Sequence, residues 1–348
     1  MQHHQSGLAA FGWSNHFQSQ LSGDANHKLQ PVRVCAVHRS GLDVIAPDFD
    51  RHIPPFIDAD GQEQATVGDW LLLERETGRA AFLLKRKSLL ARRAAGTGRA
   101  RQLIAANVDT MFIVSSCNQD FNIARLERYL AIAREADVMP VVVLTKADLA
   151  EDTSSYVNAA RRVMPGLLVE CINALNEIDV SQLRPWCAGG QTVVLLGSSG
   201  VGKSTLINTL LANQIQATGT IREDDAKGRH TTTGRALFQL GTGGWLIDTP
   251  GMRELQIADA DSGLDAVFSD IVSLAAQCRF SDCRHETEPG CAVRKAIADG
   301  VLDEDRLRRL RKLEAENRFN AQSLAEARAH ARQLGKRYRQ AQKEKRER

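Results

Sequence analysis

The segment Gly197-Ser198-Ser199-Gly200-Val201-Gly202-Lys203-Ser204 constrains this chain more than any other feature. It matches G-x-x-x-x-G-K-[ST] in full and lies between an apolar run, Thr192–Leu196, and a helical pattern, Ser204–Leu211. Its glycines let the backbone wrap a row of phosphates, because a side chain there would block the approach. Successive amides and the helix N-terminus then face the anion. Lys203 would reach the β- and γ-phosphates, Ser204 would hold Mg²⁺, and Thr205 follows in the same turn. Such a loop belongs to a sheet with alternating helices. The second constraint is order. Thr145-Lys146-Ala147-Asp148 ends the apolar run Pro140–Leu144 and precedes the phosphate loop, where the usual order puts it after. The parts of a nucleotide-binding domain are present but rotated along the chain.

Thr145–Asp148 would choose the base. A carboxylate can accept two hydrogen bonds from guanine N1 and N2, and adenine offers no such pair, so Asp148 selects a guanine nucleotide. The Lys146 stem would cover the base, and Asn173-Ala174-Leu175 could supply a backbone contact to the guanine oxygen. Many such elements carry Asn where Thr145 stands. Threonine can still hydrogen-bond toward the phosphate loop, with a shorter reach.

Further along, Asp248-Thr249-Pro250-Gly251 comes after the short apolar run Trp245–Ile247. An Asp there suits the magnesium shell, and the Gly251 amide could sense the γ-phosphate. Between the two motifs lies Gly228-Arg229-His230-Thr231-Thr232-Thr233, where a threonine could complete the Mg²⁺ shell; Thr232 is favoured over its neighbours without a strong ground. The residue after Gly251 is Met252, which cannot orient a water as glutamine does in many enzymes of this kind.

A cysteine and histidine cluster stands apart. Cys278-x4-Cys283-x-His285-x5-Cys291 offers three thiolates and one imidazole, a ligand set for one closed, structural, tetrahedral Zn²⁺ site. The other cysteines, Cys35, Cys117, Cys171 and Cys187, are scattered and read as reduced thiols.

The remaining pattern divides the chain. Residues 1–30 form an arm with Phe11, Trp13 and Phe17 at helical spacing, expected to be loosely attached. Residues 31–98 hold five short β-like runs, Val32–Val37, Leu42–Ala46, Ile53–Ile57, Trp70–Glu74 and Ala80–Leu84, which fit a small OB-fold barrel. The tract 94–99 reads as a linker. Residues 99–264 alternate strand and helix as a permuted P-loop domain, and residues 265–348 form a helical zinc-binding module with a basic C-terminal helix.

Charge points to a polyanionic partner. From Arg306 to Arg348 there are 15 Lys/Arg against 5 Asp/Glu, a net of +10, while the first 305 residues carry 30 basic and 37 acidic side chains. A second run, Arg79–Arg101, holds eight Lys/Arg and no acid. Beside a barrel and a zinc module these favour RNA. No stretch approaches the roughly 20 apolar residues of a membrane span, and the N-terminus lacks a secretory pattern, so the expectation is a cytoplasmic protein, monomeric by default.

On these residues the chain resembles the circularly permuted GTPases, and within them the ribosome small-subunit-dependent GTPase family, RsgA or YjeQ. The resemblance rests on Thr145–Asp148 ahead of Gly197–Ser204, then Gly228–Thr233, Asp248–Gly251 and the Cys/His cluster. It covers nearly the whole chain. It implies slow hydrolysis of GTP to GDP and phosphate, stimulated by the small ribosomal subunit, and a role in late maturation of that subunit. It points to His230 as the group that acts on water in place of glutamine; contact of His230 with RNA or solvent alone is the other reading. An alternative to the enzyme is an rRNA-binding scaffold gated by GTP with little turnover.

Overall fold

The computed structural model of the chain describes residues 7–21, 28–58, 64–93, 101–218, 236–248 and 260–320. Two compact units emerge, one holding the barrel and the parallel sheet, the other the C-terminal helices.

In the first unit one sheet carries the order β10-β9-β8-β11-β13-β12-β1-β2-β3, with β4 and β5 branching from β1. Its parallel part consists of β8 (Thr110–Ser116), β9 (Met139–Thr145), β10 (Leu168–Cys171), β11 (Thr192–Leu196) and β13 (Trp245–Asp248). Every residue of β8 and β11 is buried. That is the pattern of strands covered on both faces, and it explains the apolar runs Met111–Val114 and Val193–Leu196. Four helices belong to this region: α2 (Ile123–Glu135), α3 (Ser154–Arg161), α4 (Glu177–Ser181) and α5 (Lys203–Thr218). Leu206, Leu210 and Leu211 of α5 pack on Val193, Leu195, Phe112 and Leu246 of the sheet. Helix α2 begins sharply because Asn122 accepts the Arg125 amide at 2.9 Å.

A hairpin turns through Gly241–Gly244. Here β12 (Ala236–Gln239) runs antiparallel to β13, with Phe238 opposite Leu246. Gly244 has no room for a side chain, since a Cβ would stand 2.3 Å from the Cys187 carbonyl.

The barrel strands are β1 (Leu29–Val37), β2 (Leu42–Ala46), β3 (Phe49–Ile53), β4 (Trp70–Glu74) and β5 (Ala80–Leu83). Their antiparallel order β3-β2-β1-β4-β5 encloses Val32, Val34, Leu42, Val44, Ile53, Leu71 and Leu73. The third strand differs from the expected Ile53–Ile57. It ends at Ile53 because Pro54 and Pro55 cannot donate to a ladder, and Ile57 keeps only an isolated bridge to Gln64. Strand β1 also meets β12 through Ala36 and Ala236. A two-stranded ribbon, β6 (Leu89–Arg93) with β7 (Arg101–Ala106), is not evident from the sequence. The linker tract 94–99 lies outside the described residues.

The described part of the arm, residues 7–21, is firmly packed, contrary to the expected loose attachment. Phe17, on the short helix α1 (Asn15–Gln18), is completely buried with Trp70, Leu72 and Leu84. Trp13 meets Trp70 edge-on at 4.8 Å, and Phe11 lies 5.3 Å from Trp245, whose indole donates to Ala10 O at 2.8 Å. The aromatic spacing is legible in the sequence, but the partner rings lie far along the chain.

A buried cation closes this corner. Arg33 of β1 is 1% exposed and donates to Phe11 O and to Thr192 Oγ1, each at 2.6 Å, between the Trp70 and Trp245 rings. Burial lowers its pKa to about 10, against the opposing pull of Asp109 and then Asp69, so it stays charged at neutral pH. Thr192 opens the strand that ends at the phosphate loop, and its amide donates to Asp109 at 2.8 Å. One arginine thereby joins arm, barrel and sheet.

The second unit contains α6 (Asp261–Val267), α7 (Ser269–Ala275), α8 (Ala292–Ala298) and α9 (304–320). Arg306 of α9 forms two bonds to Asp270, at 2.7 and 2.9 Å, another to Val267 O, and covers the Phe268 ring. Asn317 clamps the start of α6 by accepting from Ala260 N and donating to Asp261. The basic tail beyond residue 320 lies outside the described residues.

Candidate functional site

The carboxyl edge of the parallel strands gathers the predicted nucleotide residues. Strand β11 runs into the phosphate loop, β9 into Thr145–Asp148, and β13 ends at Asp248, which is exposed. In the sheet β9, β8, β11 and β13 are consecutive neighbours, so space restores what the sequence order separates.

The loop's glycines are required for different reasons. A Cβ on Gly197 would stand 2.3 Å from the Val114 carbonyl, whereas Gly200, at φ +81°, has open space and needs only the left-handed backbone. Gly202, at φ +91°, lies against Thr145. Val201 is buried as the loop's anchor, and Ser199, Gly200 and Ser204 are exposed along its outer side. Lys203 and Thr205 open α5; Lys203 Nζ donates to Gly197 O at 2.8 Å and to Ser198 O. The ammonium thus already lies over the loop into which phosphates would fit.

Thr145 is fully buried, and its Oγ1 donates to Val201 O at 2.6 Å, with Ser115 O at 3.1 Å. The short threonine side chain does span the gap to the phosphate loop. Lys146 takes a left-handed conformation, φ +58°, and turns the chain into a single 3-10 turn, Ala147–Leu149, that exposes Asp148. The neighbouring loop is equally defined. Asn173 N donates to Asp179 at 2.9 Å, Asn176 caps α4, and Thr209 Oγ1 of α5 donates to Ala174 O at 2.7 Å. Both loops are therefore held from below, and Leu149, Leu175 and Ile178 stand exposed beside them.

Sequence reasoning misses Arg125. Its Nη1 donates to Ser198 Oγ at 2.8 Å, bringing a guanidinium to the second residue of the phosphate loop. Nothing local marks it; only the adjacency of β8 and β11 places the first turn of α2 there. His230, Thr232, Gly251 and Met252 lie outside the described residues, as does the whole of Gly228–Thr233.

In the second unit Cys278, Cys283, His285 and Cys291 converge, with all four ligand atoms within 4.8 Å of one another. His285 Nδ1 lies 3.6 Å from Cys278 Sγ and 3.4 Å from Cys291 Sγ, and those two sulphurs are 3.9 Å apart. Ligands at about 2.3 Å on a tetrahedron sit about 3.8 Å from each other, so the donor set fits a zinc ion. The surroundings hold the loop in shape. Arg311 donates to the carbonyls of Arg284 and His285, and Glu288 accepts the amides of Arg284, Glu286 and Thr287. Those amides, Arg284's foremost, hold the Glu288 carboxyl down to about 2. Cys291 also caps α8, accepting from Arg294 N at 3.3 Å.

Comparison with known proteins bears on both units. Residues 83–258 match the RsgA GTPase family model. The chain is 49% identical over 338 residues to a "Small ribosomal subunit biogenesis GTPase RsgA 2" of Vibrio vulnificus, covering 97% of this chain and 96% of that one. It is 51% identical over 317 residues to a "Small ribosomal subunit biogenesis GTPase RsgA" of Mesorhizobium japonicum, covering 90% of each. Among solved structures, YjeQ from Thermotoga maritima superposes with a TM-score of 0.61 at 25% identity, over 82% of this chain and 97% of that one. YloQ, described as a circularly permuted GTPase, shares the fold at a TM-score of 0.58 and 24% identity, over 85% of this chain and 97% of that one.

Proposed function

This chain belongs to the RsgA GTPase family and is a GTP hydrolase, and we propose that it binds the small ribosomal subunit, hydrolyses GTP under its stimulation and acts in its late maturation. The relatives' names carry the subunit. The observation that best supports a working guanine site is the Thr145 Oγ1 bond to Val201 O, which ties the base loop to the phosphate loop.

On this reading Gly197–Ser204 wraps the phosphates, Lys203 leaves its loop carbonyls for the β- and γ-phosphates, and Thr205 continues the same helical turn. Thr145, Lys146 and Asp148 hold the base, with Asp148 accepting from guanine N1 and N2. Ser204 and Asp248, both exposed at the carboxyl edge, would hold magnesium together with Thr232. That ion supplies charge neutralisation on the β- and γ-phosphates when GTP is bound. Gly251 reports the γ-phosphate through its amide. His230 positions or deprotonates the attacking water, in the role Met252 cannot take.

Zinc, held by Cys278, Cys283, His285 and Cys291, is structural: four protein ligands leave no open position. The barrel of residues 31–98, the permuted domain of residues 99–264 and the module of residues 265–348 act as one rRNA-binding chain, with residues 7–21 of the N-terminal arm packed on the barrel. The protein works as a cytoplasmic monomer. Among the described residues no helix is long and apolar enough to cross a membrane.

The base assignment has a direct test. Asp148→Asn should weaken GTP and strengthen xanthosine triphosphate, each by about 10- to 100-fold, as expected for a lost or gained charged hydrogen bond of about 1.5–3 kcal/mol. Equal loss for both nucleotides would take Asp148 out of base recognition. Subunit binding is tested by cosedimentation with a non-hydrolysable GTP analogue or GDP. Retention on large subunits as readily as on small ones would sink the partner assignment.

A further inference from the structure

Two thiols meet at the carboxyl edge of the sheet, outside both the phosphate loop and the metal cluster. Cys117 is the first residue beyond β8, and its amide donates to Thr145 O at 2.9 Å. Cys171 is the last residue of β10 and stands in register with Leu144 of β9. Strands β8 and β10 flank β9 on opposite sides, and the two side chains meet across its end with 3.7 Å between sulphurs.

The pair is asymmetric. Cys117 is buried and Cys171 is half-buried. The hydrogen bond between them holds the Cys171 thiol below its ordinary value and pushes that of Cys117 up; burial opposes the first shift and adds to the second. Thr153 also stabilises the Cys171 thiolate. A reachable sulphur that ionises beside a protonated one is the arrangement of an attacking and a resolving thiol. By contrast, burial pushes the thiols of Cys35 and Cys187 up to about 12.

The base loop Thr145–Asp148 leaves β9 between these two cysteines. Ile172, next to Cys171, donates to Leu144 O at 2.8 Å and accepts from Ala147 N at 3.4 Å. Asn173 and Ala174 come directly after it. Through Thr145 the same corner reaches Val201 in the phosphate loop. Any movement of Cys171 toward Cys117 therefore shifts one base-side loop against the other.

We propose that Cys117 and Cys171 form a hydroperoxide-sensitive pair whose disulfide weakens guanine-nucleotide binding. The Cys171 thiolate attacks the distal oxygen of a hydroperoxide. The O–O bond breaks, the leaving alkoxide or hydroxide takes up a proton, and Cys171 becomes a sulfenic acid. The Cys117 sulphur then attacks Cys171 sulphur. The S–O bond breaks, and the departing hydroxide leaves as water with the Cys117 proton. Two thiols are oxidised by two electrons and one hydroperoxide is reduced. A dithiol reverses the change. Closing the sulphurs from 3.7 Å to a bond of about 2.05 Å draws Cys171, and with it the adjoining Ile172–Ala174, across the end of β9 against Thr145–Asp148. The nucleotide half of this inference rests on the guanine-site reading above.

The experiment uses the full-length, zinc-loaded chain, titrated with hydrogen peroxide. The bridge is located by peptide mapping without reduction, and affinity is measured with fluorescent GDP. The expected result is a Cys117–Cys171 bridge with affinity about tenfold weaker, within the usual range of coupling between sites, and recovery with dithiothreitol. Cys171→Ser and Cys117→Ala should each keep their untreated affinity after peroxide. Oxidation confined to other cysteines, or a bridge that leaves GDP affinity unchanged, overturns the proposal. Failure of the reduced protein to bind GDP would instead remove the guanine-site reading, while the map still decides the oxidation step.

Discussion

Gly197 and Gly200 belong to the same loop and the same motif, yet they answer different physical demands. Gly197 faces the Val114 carbonyl, where a Cβ would stand at 2.3 Å, and Gly200 faces open space at φ +81°. Gly200→Ala should therefore cost about 1–2 kcal/mol, the penalty of a left-handed Ala. Gly197→Ala should cost more, because the backbone of β8 must move, and should lower nucleotide affinity with it. Thermal melts and GDP titrations of the two variants check this; equal losses would contradict the distinction. At this scale much of the candidate site is legible in the sequence. The residues proposed for phosphate, base and metal all stand out by residue type and spacing, and the structure brings Cys278, Cys283, His285 and Cys291 together. Arg125 is not legible, because an arginine in a first helical turn is ordinary until a neighbouring strand brings Ser198 within 2.8 Å. Nor is the Cys117–Cys171 contact, since scattered thiols announce no partner.

Elements show where local pattern suffices and where it stops. Strands β8 and β11 of the parallel sheet are readable as apolar runs because they are buried on both faces. The third barrel strand is not, since the apolar residues up to Ile57 suggest a strand that Pro54 and Pro55 forbid. The arm's attachment depends on Trp70 and Trp245, which no window around residue 17 contains. Phe17→Ala should accordingly cost about 3–5 kcal/mol, as for other fully buried aromatics. A loss under about 1 kcal/mol, typical of surface substitutions and loose attachment, would contradict the packing. The metal loop supplies a pH prediction. Glu288 has an ordinary value of 4.5 and a folded value of about 2. A depressed carboxyl contributes stability above its unfolded value and loses it as pH falls through the folded one. Glu288→Gln removes that contribution while leaving the ligands in place. The variant should release zinc at a higher pH than the parent in an acid titration followed with a metallochromic dye. Coincident release curves would show that the Glu288 bonds do not shape the site.

For the whole molecule, the permutation matters most. Base loop and phosphate loop exchange their order along the chain, yet sheet order restores their adjacency and Thr145 joins them. Shortly after Asp248 the chain leaves the nucleotide domain. It leads to the C-terminal unit with its Cys/His cluster. The proposed nucleotide-sensing turn and the Cys/His module are consecutive in sequence, which suits the proposal that the GTP state governs the hold on a large partner. The charge division, a mildly acidic body with a basic end, suits the same partner. The proposed partner is the small ribosomal subunit, and it is proposed to trigger hydrolysis. The decisive measurement is GTP turnover by the purified chain alone, with small subunits and with large subunits. Slow turnover alone and strong stimulation by small subunits only is the expected result. Tight GTP binding with turnover unchanged by small subunits would contradict it and leave a GTP-gated RNA-binding scaffold in its place.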